Sequence, residues 1–86
     1  MTTNSPTLSL EFDRWITESW HTDKRYYGVE ITRDLFGMWV LRRTWGGLTN
    51  QRRNSKSHAF AHYEEALKFF TQVAKQRRQR GYVLED

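Results

Sequence analysis

The sequence predicts an α+β domain: a small antiparallel β-sheet of four to five strands, with one C-terminal helix packed across it. Two observations support this class. Short apolar runs with a period of two, typical of strands, occupy the first two thirds of the chain, whereas the apolar residues after position 62 recur at helical spacing. The 86 residues are enough for one domain. We expect that domain to span residues 8–86, behind a disordered, Ser/Thr-rich tail at residues 1–7.

The first strand is expected at residues 8–12, because Leu8, Leu10 and Phe12 alternate with polar residues. Residues 17–23 carry turn-forming and polar side chains and are expected to connect this strand to the next. One face of the first strand would then point inward and the other into water.

Two further strands, at residues 25–32 and 38–45, are separated by a short segment containing Asp and Gly, which favours a hairpin. The second of these strands is apolar on both faces, which indicates a central place in the sheet. Residues 48–56 are polar and aperiodic and predict a surface loop, and residues 57–61 predict a short fourth strand.

A helix is predicted from Tyr63 to a stop at Gly81. Acidic residues lie in its first turn and basic residues in its last, as the helix dipole favours. Its core face is expected to comprise Tyr63, Ala66, Leu67, Phe70, Val73, Ala74 and the stem of Arg77. Residues 82–84 would either add an edge strand or pack beneath the helix.

Charge is distributed unevenly along the chain. The net charge of +4 comprises −2 over residues 1–41, +8 over residues 42–80 and −2 over residues 81–86, and Arg outnumbers Lys ten to four. The guanidinium group of Arg can form two hydrogen bonds to one phosphate and can stack on bases. This pattern of charge therefore indicates a polyanion as the partner. The alternative is that the basic half only maintains solubility.

Other classes of protein are disfavoured by composition. The absence of Cys excludes disulfides, thiol nucleophiles and thiolate metal sites, and it favours a cytoplasmic location. No run of about twenty apolar residues is present, so we expect no membrane association. His58 and His62 lack a third ligand nearby, and no set of carboxylates, nucleophile and base is spaced for catalysis. We therefore expect no metal, no cofactor, no small-molecule substrate and no enzymatic activity.

The segment from Trp39 to Lys56 holds the best candidates for a binding surface, because aromatic rings beside guanidinium groups can stack on bases while the charges hold phosphates. We interpret Trp39 as a core residue, whereas Trp45 suits the core and a binding surface equally. A cluster at residues 77–80 would form an outer rim. The predicted nucleic-acid-binding residues are Arg42, Arg43, Trp45, Gly46, Arg52, Arg53 and Lys56.

The order and spacing of several short motifs between residues 25 and 84 resemble the WGR domain, which is named for a Trp-Gly-Arg motif. These motifs are Tyr26-Tyr27, the run from Trp39 to Gly46, Glu65-Ala66-Leu67 with Phe70, and Gly81-Tyr82. WGR domains occur in DNA-damage-dependent poly(ADP-ribose) polymerases, where they bind DNA at breaks, and in bacterial proteins of unassigned role. The resemblance implies an antiparallel sheet flanked by a helix, with Trp45 as the DNA-contacting Trp and Gly46 as the motif Gly. The motif Arg is replaced here by Gly47, and Arg43, Arg52 or Arg53 would have to supply its charge.

Two functions follow as hypotheses. The first is a non-catalytic module that binds nucleic acid, DNA rather than RNA, through a basic surface and an exposed Trp45. The second is a protein-interaction domain that docks an acidic partner, with exposed Trp and Arg residues as its anchors.

Overall fold

A computed structural model describes residues 10–50 and 52–85. Five strands form one antiparallel sheet, and a single helix follows the fourth strand and packs on one face of that sheet. The predicted α+β class is confirmed. The elements are β1 (Ile16–His21), β2 (Arg25–Arg33), β3 (Trp39–Gly47), β4 (Arg53–Phe60), α1 (Tyr63–Gln79) and β5 (Val83–Leu84), and the strand order in the sheet is β4-β3-β2-β1-β5.

The strand predicted at residues 8–12 is wrong over the described part of that range, which begins at residue 10. Residues 10 and 11 belong to no strand, and Phe12–Arg14 forms a 3-10 turn. The indole N–H of Trp15 donates a hydrogen bond to the Leu10 carbonyl oxygen at 2.8 Å, so the chain folds back on itself here. Phe12 is 64% exposed, which shows that its apolar character does not mark a core-facing position.

The first strand instead occupies most of residues 17–23, for which a connection was predicted. The alternation in β1 is hard to recognise because Glu18 shares a face with Ile16 and Trp20. Trp20 is the one buried residue of the strand. Pairing along its full length with β2 therefore stabilises β1 despite its polar composition.

The predicted hairpin between β2 and β3 is confirmed. Its turn is stabilised by the Asp34 carboxylate, which accepts hydrogen bonds at 2.9 Å from the backbone N–H groups of Phe36 and Met38. Gly37 adopts a φ of 83°, which an L-residue rarely tolerates. Because β3 pairs with β2 on one side and β4 on the other, its predicted interior position is also confirmed.

The fourth strand is longer than predicted and begins at Arg53, inside the range that was expected to be a loop. The connection from β3 is therefore only residues 48–52. An edge strand needs few apolar residues, and in β4 only His58 and Phe60 are shielded from solvent. This strand forms because its eight residues pair with β3, although its own composition is mostly polar.

The core lies between α1 and the face of the sheet that α1 covers, called the covered face below; the other side is the open face. The helix contributes Ala66, Phe70, Val73 and Ala74, as predicted, but Leu67 is 36% exposed and does not belong to the core. The sheet contributes Trp20, Tyr27, Val29, Ile31, Trp39 and Leu41.

Both ends of α1 are defined by local interactions. At the start, a Glu65 carboxylate oxygen accepts a hydrogen bond from the His62 backbone N–H at 3.2 Å. At the end, Gly81 adopts a φ of 83°, and the chain then forms β5, whose residues 83–84 pair with β1. Of the two alternatives for residues 82–84, the edge strand is the one observed. Within the described residues, no helix combines the length and apolarity needed to traverse a bilayer.

Candidate nucleic-acid interface

A groove of about 980 Å³ opens on the covered side of the sheet, where the ends of β3 and α1 meet the β1–β2 turn and the β3–β4 loop. Its lining includes no carboxylate. It does include six cationic side chains, and no ion pair found in the described part of the chain involves any of them. A concave surface of one charge sign concentrates the electrostatic field and attracts anions. The six cations are Lys24, Arg25, Arg43, Arg52, Arg77 and Arg80.

The aromatic part of the groove is built by the pairing of β2 with β3. Tyr27 and Trp45 are direct cross-strand partners, and their rings stack with centroids 6.1 Å apart and planes 17° from parallel. Tyr82, which precedes β5, meets Tyr27 edge-on at 6.3 Å. Trp45 is half-buried: it packs against the core and also lines the groove. Both roles that the sequence left open for Trp45 are therefore compatible with its position.

Arg77 reaches the groove from the last full turn of α1. Its guanidinium carbon lies 4.1 Å from the centre of the Tyr27 ring and 5.1 Å from the centre of the Tyr82 ring, within the range of cation–π attraction. Its Nε is buried and has no hydrogen-bond partner. Arg77 as a whole is half-buried and lines the groove, so an anion bound there can pair with its guanidinium group.

Arg43 repeats this arrangement from β3. One of its terminal nitrogens donates a long hydrogen bond, 3.5 Å, to the Tyr27 hydroxyl, and its guanidinium carbon lies 5.6 Å from the centre of the Trp45 ring. Its Nε is also buried without a partner. Arg43 at the Tyr27 hydroxyl and Arg77 over the Tyr27 ring therefore bring two half-buried guanidinium groups to the same tyrosine.

Gly46 is required by the backbone that crosses it. A methyl group added there would lie 2.2 Å from the Arg52 carbonyl oxygen and 2.8 Å from the Tyr26 hydroxyl. Only glycine allows the β3–β4 loop to approach this closely. The motif glycine therefore shapes the groove by admitting the loop that carries Arg52.

Gly47, which stands where the family motif has Arg, is covered by Asn50. A methyl group added at Gly47 would lie 2.7 Å from the Asn50 side-chain oxygen. That oxygen also accepts a hydrogen bond from the Arg52 backbone N–H at 3.2 Å. The space for a side chain at position 47 is therefore taken by a residue that positions Arg52.

The predicted site residues fall into two groups. Trp45, Gly46, Arg43 and Arg52 line the groove. The other three do not: the strand register places Arg42 and Arg53 on the open face, and Lys56 is an exposed residue of β4.

The separation of neighbouring arginines follows from strand geometry. Successive side chains in a strand point to opposite faces, so Arg42 and Arg43 cannot share a surface. Arg53 donates a hydrogen bond from its Nε to the Tyr26 hydroxyl at 3.2 Å, on the open face. In each of the adjacent pairs 42/43, 52/53 and 77/78, one arginine lines the groove and the other does not.

Sequence reasoning missed the groove residues Lys24, in the β1–β2 turn, and Arg25, at the start of β2, because it placed the first strand too early and so did not predict that turn. It also assigned residues 77–80 to an outer rim, whereas Arg77 and Arg80 line the groove itself. The inward position of Arg77 on the helical stripe was the available signal.

His58 lies beside the groove on the covered face, with its ring 4.7 Å from that of Phe69. Burial lowers the pKa of His58, and the positive charges of Arg43 and Lys56 lower it further. Its Nε2 is buried without a partner. Across residues 10–50 and 52–85, no three His, Asp or Glu side chains come together in a way that could hold a metal ion.

Comparison with known proteins gives one family and one relative. The WGR domain family profile matches residues 13–86, which includes β1. The chain is 36% identical over 58 residues to uncharacterized protein y4dW of Sinorhizobium fredii; the alignment covers 67% of this chain and 28% of that protein. The chain thus spans less than a third of that relative's length. No solved structure matches.

Proposed function

The chain belongs to the WGR domain family, and on this premise we propose that it is a non-catalytic module that binds DNA through the cationic groove and acts in the cytoplasm. The observation that carries this proposal is the composition of the groove: six cationic side chains, no carboxylate, and the stacked pair Tyr27 and Trp45. Cations track the phosphates of a nucleic-acid strand, and aromatic rings stack on its bases or sugars.

The roles of the groove residues differ. Arg43 and Arg77 are half-buried, whereas the other four groove cations are exposed, so we assign them the most tightly held phosphate. Lys24, Arg25 and Arg80, which are more exposed, would contact flanking phosphates. Trp45 would stack on an exposed sugar or base.

Arg52 is our candidate for the charge that Gly47 lacks. It lines the groove next to the motif, and Asn50 fixes its backbone through the hydrogen bond to its N–H. We expect Arg52→Ala to weaken binding to blunt-ended or nicked DNA more than binding to intact duplex. If Arg52→Ala leaves affinity for every DNA probe unchanged, Arg52 does not supply the charge of the missing motif Arg.

The direct test is fluorescence anisotropy with intact, nicked, blunt-ended and single-stranded DNA probes across a salt series. If four or five of the six cations contact phosphates, the logarithm of the association constant should fall with the logarithm of salt concentration at a slope of about −3 to −4.5. A slope near zero, or no binding in the micromolar range, would contradict the proposal. The same duplex made of RNA tests the preference for DNA.

We infer the second candidate function, binding of an acidic protein partner, from a different surface, the free edge of β4.

A further inference from the structure

The outer edge of β4 has no partner strand in the described part of the chain. The hydrogen bonds at both ends of the β2–β3 ladder show which backbone groups are free: Asp34 N–H donates to the Met38 carbonyl, and Leu48 N–H donates to the Lys24 carbonyl. By antiparallel alternation, the even-numbered residues of β3 bond to β2 and the odd-numbered residues bond to β4.

The register between β3 and β4 then shows which backbone groups of β4 bond to β3 and which point to the free edge. Residues 54, 56, 58 and 60 of β4 are opposite odd-numbered residues of β3, so their N–H and C=O groups point inward. The groups that point outward belong to Arg53, Ser55, Ser57 and Ala59. All four residues are exposed, and no turn or loop hydrogen bond within the described residues uses their backbone groups.

These free groups repeat every two residues, about 6.8 Å, with a donor and an acceptor at each position. Another strand presents the complementary pattern, whereas a phosphate backbone offers acceptors only. The geometry of this edge therefore suits a polypeptide better than a nucleic acid.

The charge along the edge specifies the kind of polypeptide. None of the eight residues of β4 is acidic, Lys56 is an exposed cation within it, and Arg42 lies beside it on the open face. The Arg53 guanidinium group, in contrast, reaches back across β3 to the Tyr26 hydroxyl. The opposite edge of the sheet differs, since β5 has two residues and β1 carries Glu18. A second copy of this chain is disfavoured, because two basic β4 strands would lie side by side.

We propose that the free edge of β4 binds an extended acidic segment of a partner protein, which adds to the sheet as a sixth strand. Main-chain hydrogen bonds to the outward N–H and C=O groups would provide affinity, and the cations flanking the edge would select acidic side chains. This surface is distinct from the DNA-binding groove, so both ligands can bind at once.

The test uses a fluorescein-labelled, end-blocked heptapeptide in which Glu alternates with Val, added to the full-length protein. We expect binding that slows hydrogen exchange at the amides of Ser55, Ser57 and Ala59 and leaves the amides of residues 54 and 56, already bonded to β3, unchanged. Methylating alternate amide nitrogens of the peptide should weaken binding about tenfold or more, because it removes the interchain bonds and keeps the charge. A Lys-Val peptide should not bind.

Protein variants provide the second arm. Ser57→Pro removes one outward N–H and should weaken peptide binding about tenfold, whereas Ser57→Ala keeps that N–H and should bind as wild type does. Arg80→Gln, which removes an exposed groove charge remote from β4 in the chain, should also leave peptide binding unchanged.

Three results would overturn the proposal: no peptide binding at millimolar concentration, equal binding of the methylated and unmethylated peptides, or slowed exchange confined to the groove. The methylated peptide keeps the test decisive even if Ser57→Pro does not fold. If a folded Ser57→Pro variant loses DNA binding in parallel with peptide binding, the edge also contacts nucleic acid, and the separation of the two surfaces is overturned.

Discussion

Replacing Gly46 by Ala tests the packing that shapes the groove. The added methyl group would lie 2.2 Å from the Arg52 carbonyl oxygen, and real contacts of this kind are not found below 3.0 Å. Backbone atoms of β3 or of the loop must therefore separate by at least about 0.8 Å. The Tyr26 hydroxyl, 2.8 Å away, obstructs a second direction of relief.

The expected destabilisation is about 2 kcal/mol, the middle of the range for overpacking a site that cannot relax freely. For a domain of this size, each kcal/mol lowers the Tm by about 4–8 °C, so Gly46→Ala should melt about 8–16 °C below wild type. Thermal unfolding followed by circular dichroism measures this directly. DNA affinity measured well below the Tm should also fall, because the loop that carries Arg52 must move.

Two other glycines calibrate the result. A methyl group at Gly28 would meet its nearest atoms at 3.9–4.0 Å, so Gly28→Ala should leave the Tm unchanged or raise it slightly. Gly47→Ala should fall between the two, because the obstructing Asn50 side chain can rotate away. If Gly46→Ala melts within about 2 °C of Gly28→Ala, the loop does not lie against β3 as described.

Three further predictions follow. Trp45→Ala should weaken DNA binding about 5- to 150-fold, the range for losing one base-stacking ring, while Trp45→Tyr keeps most of the affinity; an equal loss in both would indicate a structural role. Arg77→Gln should reduce the salt slope of DNA binding by about 0.9, whereas Arg78→Gln should not, and equal slopes would remove Arg77 from the phosphate contacts. Because the folded-state pKa of His58 lies below its ordinary value of 6.5, the unfolded chain takes up the proton first as the pH falls. Stability should therefore be complete above pH 6.5 and decline below it; His58→Gln should flatten that decline in urea unfolding from pH 7 to 5, and an unchanged decline would exclude His58 as its source.

The elements that were predicted correctly have a clear internal period. Every second residue in the middle of β2 is buried and apolar, β3 begins with a dense apolar run, and α1 places its core residues on one stripe. The strand β1 was predicted too early and β4 was predicted too short; both lie beside correctly predicted strands and are formed mainly by pairing with them. Both strands are polar in composition, because β1 has a single buried residue, Trp20, and β4 is an edge strand. The order of polar and apolar residues within them therefore gives little indication of a strand.

The sequence predicted the chemical character of the candidate site, cationic and aromatic, but not which residues lie together in it. The distribution of Lys and Arg along the chain placed the excess of positive charge after residue 41. The Trp-Gly motif identified Trp45 as the aromatic residue of the site. Which arginines share a surface depends on the register of the strands and on whether a residue occupies an odd or an even position. For β4 these positions could not be assigned, because its start was predicted four residues too late. The contribution of Lys24 and Arg25 depends on the turn after β1 and could not be found without that strand.

DNA binding should depend on the groove and not on the basic half of the chain as a whole. The three adjacent arginine pairs allow a matched comparison: one triple variant, Arg43→Gln/Arg52→Gln/Arg77→Gln, removes three groove charges, and the other, Arg42→Gln/Arg53→Gln/Arg78→Gln, removes three charges outside the groove. Both variants lose the same net charge. Anisotropy with one duplex probe at one salt concentration should show affinity lost in the first variant and retained within a few-fold in the second. Equal losses would contradict the account, because they would mean that only total charge matters.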